Sequence, residues 1–341
     1  MNAEFLIRAP VGLLPVLAFL IALLYLDSYK LVSFRTVLVV IATGALVTVA
    51  SYFINGFLFT RLPFEFASFS RYVAPVVEEV LKALVIVYLF RSHRIGFLVD
   101  SAIMGFAVGA GFALAENIHY LQTAGQANMG VWIVRGFGTA VMHGGVTAIF
   151  GIVSQVLTER SMKINPLLYL PGLAAAIMLH SLFNHFPVHP MVQTLIIMIS
   201  LPPLLLFVFQ RSAKRMHDWL EVDFDEDADL LQLIQSGDFV DSKVGRFLQD
   251  LRQKFEGPVV VDMLCYLRLY TELALRAKGV LMMRENGLDT PVGERTRAKF
   301  EELSYLETSI GKTGILAMRP FLHMTRKDLS LIHISEPTRP Y

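Results

Sequence analysis

Seven times between residues 10 and 209 the chain stays apolar long enough to cross a hydrocarbon core, a length of ~20 helical residues. The runs fall at about 10–27, 34–60, 73–90, 97–121, 131–157, 167–186 and 189–209. Inside a bilayer, backbone polar groups must be satisfied within the segment, so runs of this kind fold as helices. Charge is distributed to match. Residues 1–211 carry 12 Lys/Arg and 8 Asp/Glu, whereas residues 212–341 carry 18 and 21. One part is nearly charge-free and the other has the composition of a soluble domain, which excludes both a single soluble globule and a wholly disordered chain. The net charge of +1 gives no general attraction to nucleic acid, and the single cysteine, Cys265, excludes an internal disulfide framework or a cysteine metal cluster.

The expected fold class is therefore all-α: a polytopic transmembrane helix bundle of about seven spans, with a small C-terminal cytosolic helical domain. The expected divisions are a transmembrane domain over 1–211, a helical domain over 212–328 and a foreign tail over 329–341. Loop charge gives the orientation. Lys30, Arg35, Arg91, Arg94, Arg160, Lys163, Arg211, Lys214 and Arg215 share one side, against Arg8, Arg61, Arg71 and, at the start of the fifth run, Arg135. The positive-inside rule then puts the N-terminus outside and the C-terminal domain in the cytosol, as in a multi-pass protein of a bacterial inner membrane.

The polar residues inside the runs carry the chemistry. Glu78, Glu79 and Lys82 lie in the third, Glu116 and Asn117 in the fourth, His143 in the fifth, and His180, Asn184 and His185 in the sixth. An ionisable group at the bilayer centre costs at least ~2.5 kcal/mol on the insertion scale, so such groups face a bundle interior or a function. At the helical rise, Glu78, Glu79, Glu116 and His180 come out ~8–9 Å below the outer end of their runs, with His143 deeper at ~18 Å. A shared layer suits hydrolysis: carboxylates and imidazoles either hold a zinc ion with one position open to water or polarise a water directly. Asn184 is a candidate donor to a developing oxyanion. Glu78 is expected to pair with Lys82, four residues on. Gly105, Gly109 and Gly111 read as one small-residue face for close helix approach. Two rival classes stay open on the residues alone. One is an ion-coupled transporter or channel using the same side chains as a proton or cation path, which calls for polar groups at several depths. The other is a non-catalytic membrane sensor.

Four motifs follow one another on successive runs: Glu78-Glu79-Val-Leu-Lys82 as E-E-x-x-K, Phe112-Ala-Leu-Ala-Glu116-Asn117 as F-x-x-x-E-N, His143-Gly-Gly-Val-Thr147, and His180-Ser-Leu-Phe-Asn184 as H-x-x-x-N. In that order they resemble the PrsW family of intramembrane proteases, distant relatives of the CAAX-processing membrane peptidases, over about residues 70–190. The resemblance implies that Glu78, Glu79, Glu116, His143, His180 and Asn184 form the active site, and that substrates are membrane-anchored proteins such as anti-sigma factors. Two versions of the chemistry stay open. With zinc, the ligands are His143, His180 and Glu116, and Glu79 is the base. Without metal, Glu79 and His143 activate water while Asn184 and His180 stabilise the oxyanion.

Other signatures fail. There is no H-E-x-x-H zincin motif, and in Ser309-Ile-Gly311-Lys312-Thr313 the first phosphate-loop glycine is replaced by Leu306. The acidic run from Glu221 to Asp229 lacks the glycine and terminal glutamate of a calcium loop and reads as a solvated linker or helix start. Helical periodicity follows over Leu230–Phe255, Val259–Arg284 and about Gly293–Ser309, a domain read as regulatory or partner-binding. The segment Leu329–Arg339 reads as a translated sequencing adapter, set aside from fold reasoning.

Overall fold

The computed structural model describes residues 3–123, 127–159, 165–237, 242–286 and 294–318, together with 239, 288 and 322. The adapter-like tail lies outside them, as does Gly287, a residue type that suits the end of the helix expected over Val259–Arg284. The all-helical class holds: the described residues are 88 % helical, with no strand among them. It divides into two compact units, Met1–Ser212 and Ala213–Tyr341.

The first unit begins with α1 (Ala3–Leu26) and α2 (Phe34–Arg61). Next come α3 (Ala74–Arg91), α4 (Leu98–Thr123), α5 (Ala140–Thr158) and α6 (Leu170–Asn184). The last helix of the unit, α7 (Pro190–Ser236), contains the division between the two units. Among the described residues, six stretches are long and apolar enough to span a membrane: Ile7–Leu26, Phe34–Arg61, Leu98–Thr123, Met129–Thr158, Pro166–Asn184 and Pro190–Ser236. The third expected run, 73–90, corresponds to α3, which has 18 residues but carries the charges of Glu78, Glu79, Lys82 and Arg91 and is less apolar than the other six.

Helix α4 is the centre of the unit, its apolar stretch 83 % buried and packed against α1, α2, α3 and α5. Its start is fixed by Asp100, whose Oδ2 accepts the backbone N–H groups of Gly96 and Phe97 at 3.0 Å each, satisfying donors that a helix N-terminus leaves open. The glycines explain how closely the helices approach. A Cβ on Gly105 would stand 2.6 Å from Thr147 O, and one on Gly109 2.1 Å from His143 O, both on α5. Gly111 faces the other way, its hypothetical Cβ 2.0 Å from Ile41 O on α2. The three therefore do not form one face, because residues six apart on a helix point in different directions. Large apolar side chains on α1, α2, α6 and α7, among them Ile21, Val39, Leu46, Phe53, Met178 and Ile199, remain exposed, as lipid-facing surfaces require.

Two helices reach the site through a π-helical turn. Phe69–Val73 precedes α3, and Val134–Thr139 joins the short helix Met129–Ile133 to α5. Each such turn inserts an extra residue and rotates the helix beyond it, a device common at functional sites.

The second unit contains the C-terminal part of α7 with α8 (Lys243–Leu251), α9 (Gly257–Glu285) and α10 (Glu294–Met318). Met263, Leu267, Tyr270, Leu273, Leu306 and Ile310 belong to its apolar core. The helix expected over Leu230–Phe255 is divided, because α7 ends at Ser236 and Ser242 caps α8 by accepting from Gly245 N at 3.1 Å. Gly311, at φ 70°, breaks the regular course of α10, so the phosphate-loop-like residues lie at a helix kink. The acidic run is also corrected: it is helical, and Asp227 is buried, accepting from Lys278 Nζ at 2.7 Å. Removing Asp227 takes this 2.7 Å carboxylate from a buried ammonium, so Asp227→Ala is expected to destabilise this unit by about 3 kcal/mol. Denaturant unfolding followed by helical circular dichroism measures this; a loss under about 1 kcal/mol would place the pair among weak surface bridges.

Candidate active site and metal centre

Residues from five helices meet around Lys82, which is fully buried. Its ammonium donates to Glu79 Oε1 at 2.8 Å and contacts His143 Nδ1 at 2.9 Å. Nζ also lies 4.0 Å from the ring centroid of Phe112, a favourable seat for a desolvated cation. The expected Glu78–Lys82 pair is thus a Glu79–Lys82 pair. Spacings of three and four both share a helix face, and here the shorter one meets the ammonium, while Glu78 lies between Asn55 on α2 and His180 on α6.

Glu79 is 2 % exposed, and the same Oε1 takes a second contact, from His180 Nδ1 at 2.8 Å. With the Nδ1–H donating to this carboxylate, the His180 Nε2 lone pair is directed away from it. Nε2 stands 3.9 Å from Glu78 Oε2. The imidazoles of His143 and His180 meet edge-to-face at 4.8 Å between centroids. Potential ligand atoms of Glu78, His143 and His180 all lie within 4.8 Å of one another. Two imidazoles and one carboxylate are a donor set that suits zinc, leaving a coordination position for water. A carboxylate on the outer nitrogen of a ligating histidine is the usual way to fix its tautomer. The residues present therefore fit a divalent metal.

Glu116 lies beside this trio. Its Oε2 is 3.3 Å from His143 Nε2 and 3.1 Å from Arg135 Nη2. Its side chain keeps 24 % exposure, against 14 % for Glu78 and 1 % for Glu79. The sequence reading put Glu116 third among the ligands and Glu79 as base, whereas the converging set contains Glu78, and Glu79 is engaged by two partners. His143, expected deeper than the others, lies among them, its Nδ1 2.9 Å from Lys82 Nζ and its ring 4.8 Å from that of His180. Asn184, expected at the oxyanion, donates from Nδ2 to Ser70 O at 2.9 Å. With Ser181 Oγ donating to Arg71 O at 2.7 Å, it fastens α6 to the π-turn before α3.

Other motif residues act on the frame. Thr147 Oγ1 donates to His143 O at 2.9 Å. Asn117 Nδ2 donates to Gly12 O at 2.7 Å, and Asn117 Oδ1 accepts from Arg135 Nε at 2.9 Å. Sequence reasoning missed Asn55 on α2, whose Nδ2 lies 3.4 Å from Glu78 Oε1 and 3.3 Å from Ser51 Oγ. The available signal was a Ser51–Asn55 pair, polar and four apart, within an apolar run. It also treated Arg135 only as a loop charge.

A lipid-facing helical bundle with a buried cluster of three glutamates and two histidines, fit to hold a metal, defines a polytopic membrane protein built around a hydrolytic type of centre. Residues 32–209 match the PrsW family intramembrane metalloproteases, and the chain belongs to that family. It is a multi-pass membrane protease acting in intramembrane proteolysis. No curated protein and no solved structure matches it.

Proposed function

We propose that Glu78, His143 and His180 hold a catalytic zinc ion and that Glu116 is the general base for peptide-bond hydrolysis inside the bilayer. The observation carrying this reading is the convergence of those three ligand atoms within 4.8 Å, beside a carboxylate that is still partly exposed. A bound zinc ion supplies Lewis acidity and brings the pKa of its water to about 7. Glu79 holds the His180 ring in the tautomer that presents Nε2, and Lys82 neutralises Glu79. Glu116 takes the proton of the attacking water and returns it to the departing amine. The surrounding apolar helices exclude bulk water, which strengthens each charged contact.

Substrates on this reading are membrane-anchored proteins, anti-sigma factors among them, cut in the outer part of the bilayer. The N-terminus lies outside and the unit from Ala213 onward lies in the cytosol as a regulatory or partner-binding domain. The test compares membrane and shed-protein profiles of cells carrying wild type and Glu116→Gln at matched protein levels. Loss of an outer domain from a defined membrane protein is expected with wild type only; identical profiles under several stresses would reject the assignment and bring ion-flux assays forward.

A second reading has its own observation, the 2.9 Å contact of Lys82 with His143 Nδ1. An ammonium donating there leaves the ring proton on Nε2, facing Glu116, as a metal-free glutamate–histidine hydrolase would use it. Chelation separates the two. Treatment of the purified protease with 1,10-phenanthroline is expected to abolish cleavage, with zinc restoring it; undiminished cleavage after verified metal removal supports the second reading.

A further inference from the structure

Three contacts immobilise the guanidinium of Arg135 at the edge of the site. Nε donates to Asn117 Oδ1 at 2.9 Å, and the guanidinium carbon lies 3.6 Å from the ring centroid of Tyr120. Nη2 stands 3.1 Å from Glu116 Oε2. The last contact is an ion pair without hydrogen-bond alignment: among the described residues, buried Nη2 has no hydrogen-bond partner and Glu116 Oε2 has none. The backbone is gripped as well, Arg135 O lying 3.4 Å from Asn117 Nδ2. A guanidinium is planar, with its five N–H donors in a fixed fork. Anchoring Nε and stacking the plane on Tyr120 therefore also fix the direction of the unused Nη2 donor. The ion pair compensates the charge but leaves the donor itself without an aligned acceptor, beside the same carboxylate oxygen that approaches His143 Nε2.

We propose that Arg135 is a catalytic residue whose Nη2–H donates to the oxygen of the scissile carbonyl as that oxygen gains negative charge. The inference rests on the hydrolytic reading above and adds to it the group that stabilises the developing oxyanion. The water oxygen bonds to the carbonyl carbon, the C=O electron pair moves onto oxygen, and the water proton goes to Glu116. The carbonyl then re-forms as the C–N bond breaks, with that proton leaving on the amine. Arg135 keeps its own protons throughout, as a guanidinium does in proteins. Preorganised donors aimed at such charge act most strongly where water is excluded. Lysine would be a poor substitute, since a point-charge ammonium has neither the planar face on Tyr120 nor two directed donors.

The experiment uses the full chain reconstituted in phosphatidylethanolamine–phosphatidylglycerol vesicles. The probe is a single-span protein with a fluorophore and a quencher on opposite sides of its membrane segment. Arg135→Gln is expected to lower kcat by about 10²–10³-fold, with KM within about threefold of wild type. Zinc content and melting temperature are expected to stay unchanged, and Arg135→Lys to resemble Arg135→Gln more than wild type. Loss of zinc or of thermal stability sufficient to explain the lost rate would overturn the proposal, as would an Arg135→Gln rate within about threefold of wild type. Glu78→Gln separates the two levels of inference. If it cleaves like wild type, the metal-centre reading fails and the proposal with it. If it is inert while Arg135→Gln is unimpaired, only the role of Arg135 fails.

Discussion

Glu78→Gln is expected to abolish proteolysis and metal binding together while leaving the bundle folded. Glu78 is one of the three converging ligand donors, and the substitution removes an anionic ligand at nearly constant shape. Its Oε1 neighbour, Asn55 Nδ2 at 3.4 Å, can still donate to the amide oxygen of glutamine, so little folding energy is at stake. Two companion substitutions set the scale. Glu79 reaches the site through His180 Nδ1. Partners of this kind are worth about 10–100-fold in metal affinity, so Glu79→Gln should weaken zinc binding by that amount. Glu116→Gln should leave affinity unchanged and remove cleavage. Zinc titration of the detergent-solubilised protein against a competing chelator reads all three, with loss of more than about 100-fold expected for Glu78→Gln. Should Glu116→Gln lose the metal and Glu78→Gln retain it, the ligand set read from sequence, His143, His180 and Glu116, would replace this one.

Some helix edges were legible in the sequence: the run read at 34–60 is the helix Phe34–Arg61, closed by Arg61 and Pro63, and the run at 97–121 is Leu98–Thr123, opened shortly after Arg94. That ionisable residues of four runs belong to one cluster was legible too, because charge in lipid is costly enough to demand company. Pairing within the cluster was not. Adjacent glutamates differ by 100° around a helix, and only the surrounding helices decide that Glu79, and not Glu78, meets Lys82. Distance along the chain hid Asp227, whose partner Lys278 is 51 residues away. The two π-helical turns, Phe69–Val73 before α3 and Val134–Thr139 before α5, leave no plain mark in a hydropathy pattern. The motif Phe112 gains its reason only in three dimensions, its ring lying 4.0 Å from the Lys82 ammonium and 5.0 Å from the His143 ring.

That dependence of chemistry on helix spacing makes Gly109→Ala a small substitution aimed directly at the backbone of His143. A Cβ there would stand 2.1 Å from His143 O, 2.6 Å from His143 C and 2.7 Å from Gly144 Cα. Every one of these atoms is backbone, so no side chain can swing aside and α4 and α5 must separate. Overpacking of a close-packed interface costs about 1–3 kcal/mol. The motion also carries His143 itself, and displacement of a catalytic group by ~1 Å costs on the order of 10²-fold in rate. Gly151→Ala is the matched control: it meets Ser101 O at 2.6 Å across the same helix pair, but ~12 Å along α5 from His143. Gly56→Ala, with nothing within 4 Å, should be neutral or stabilise the helix by about 0.5–1 kcal/mol. Melting in detergent and cleavage per folded molecule are then read together. Both interface substitutions should lower the melting temperature, but only Gly109→Ala should lose most of its activity per folded molecule and its zinc affinity. Equal losses at Gly109 and Gly151 would mean that the bundle moves as one body and that spacing at His143 holds no special place in catalysis.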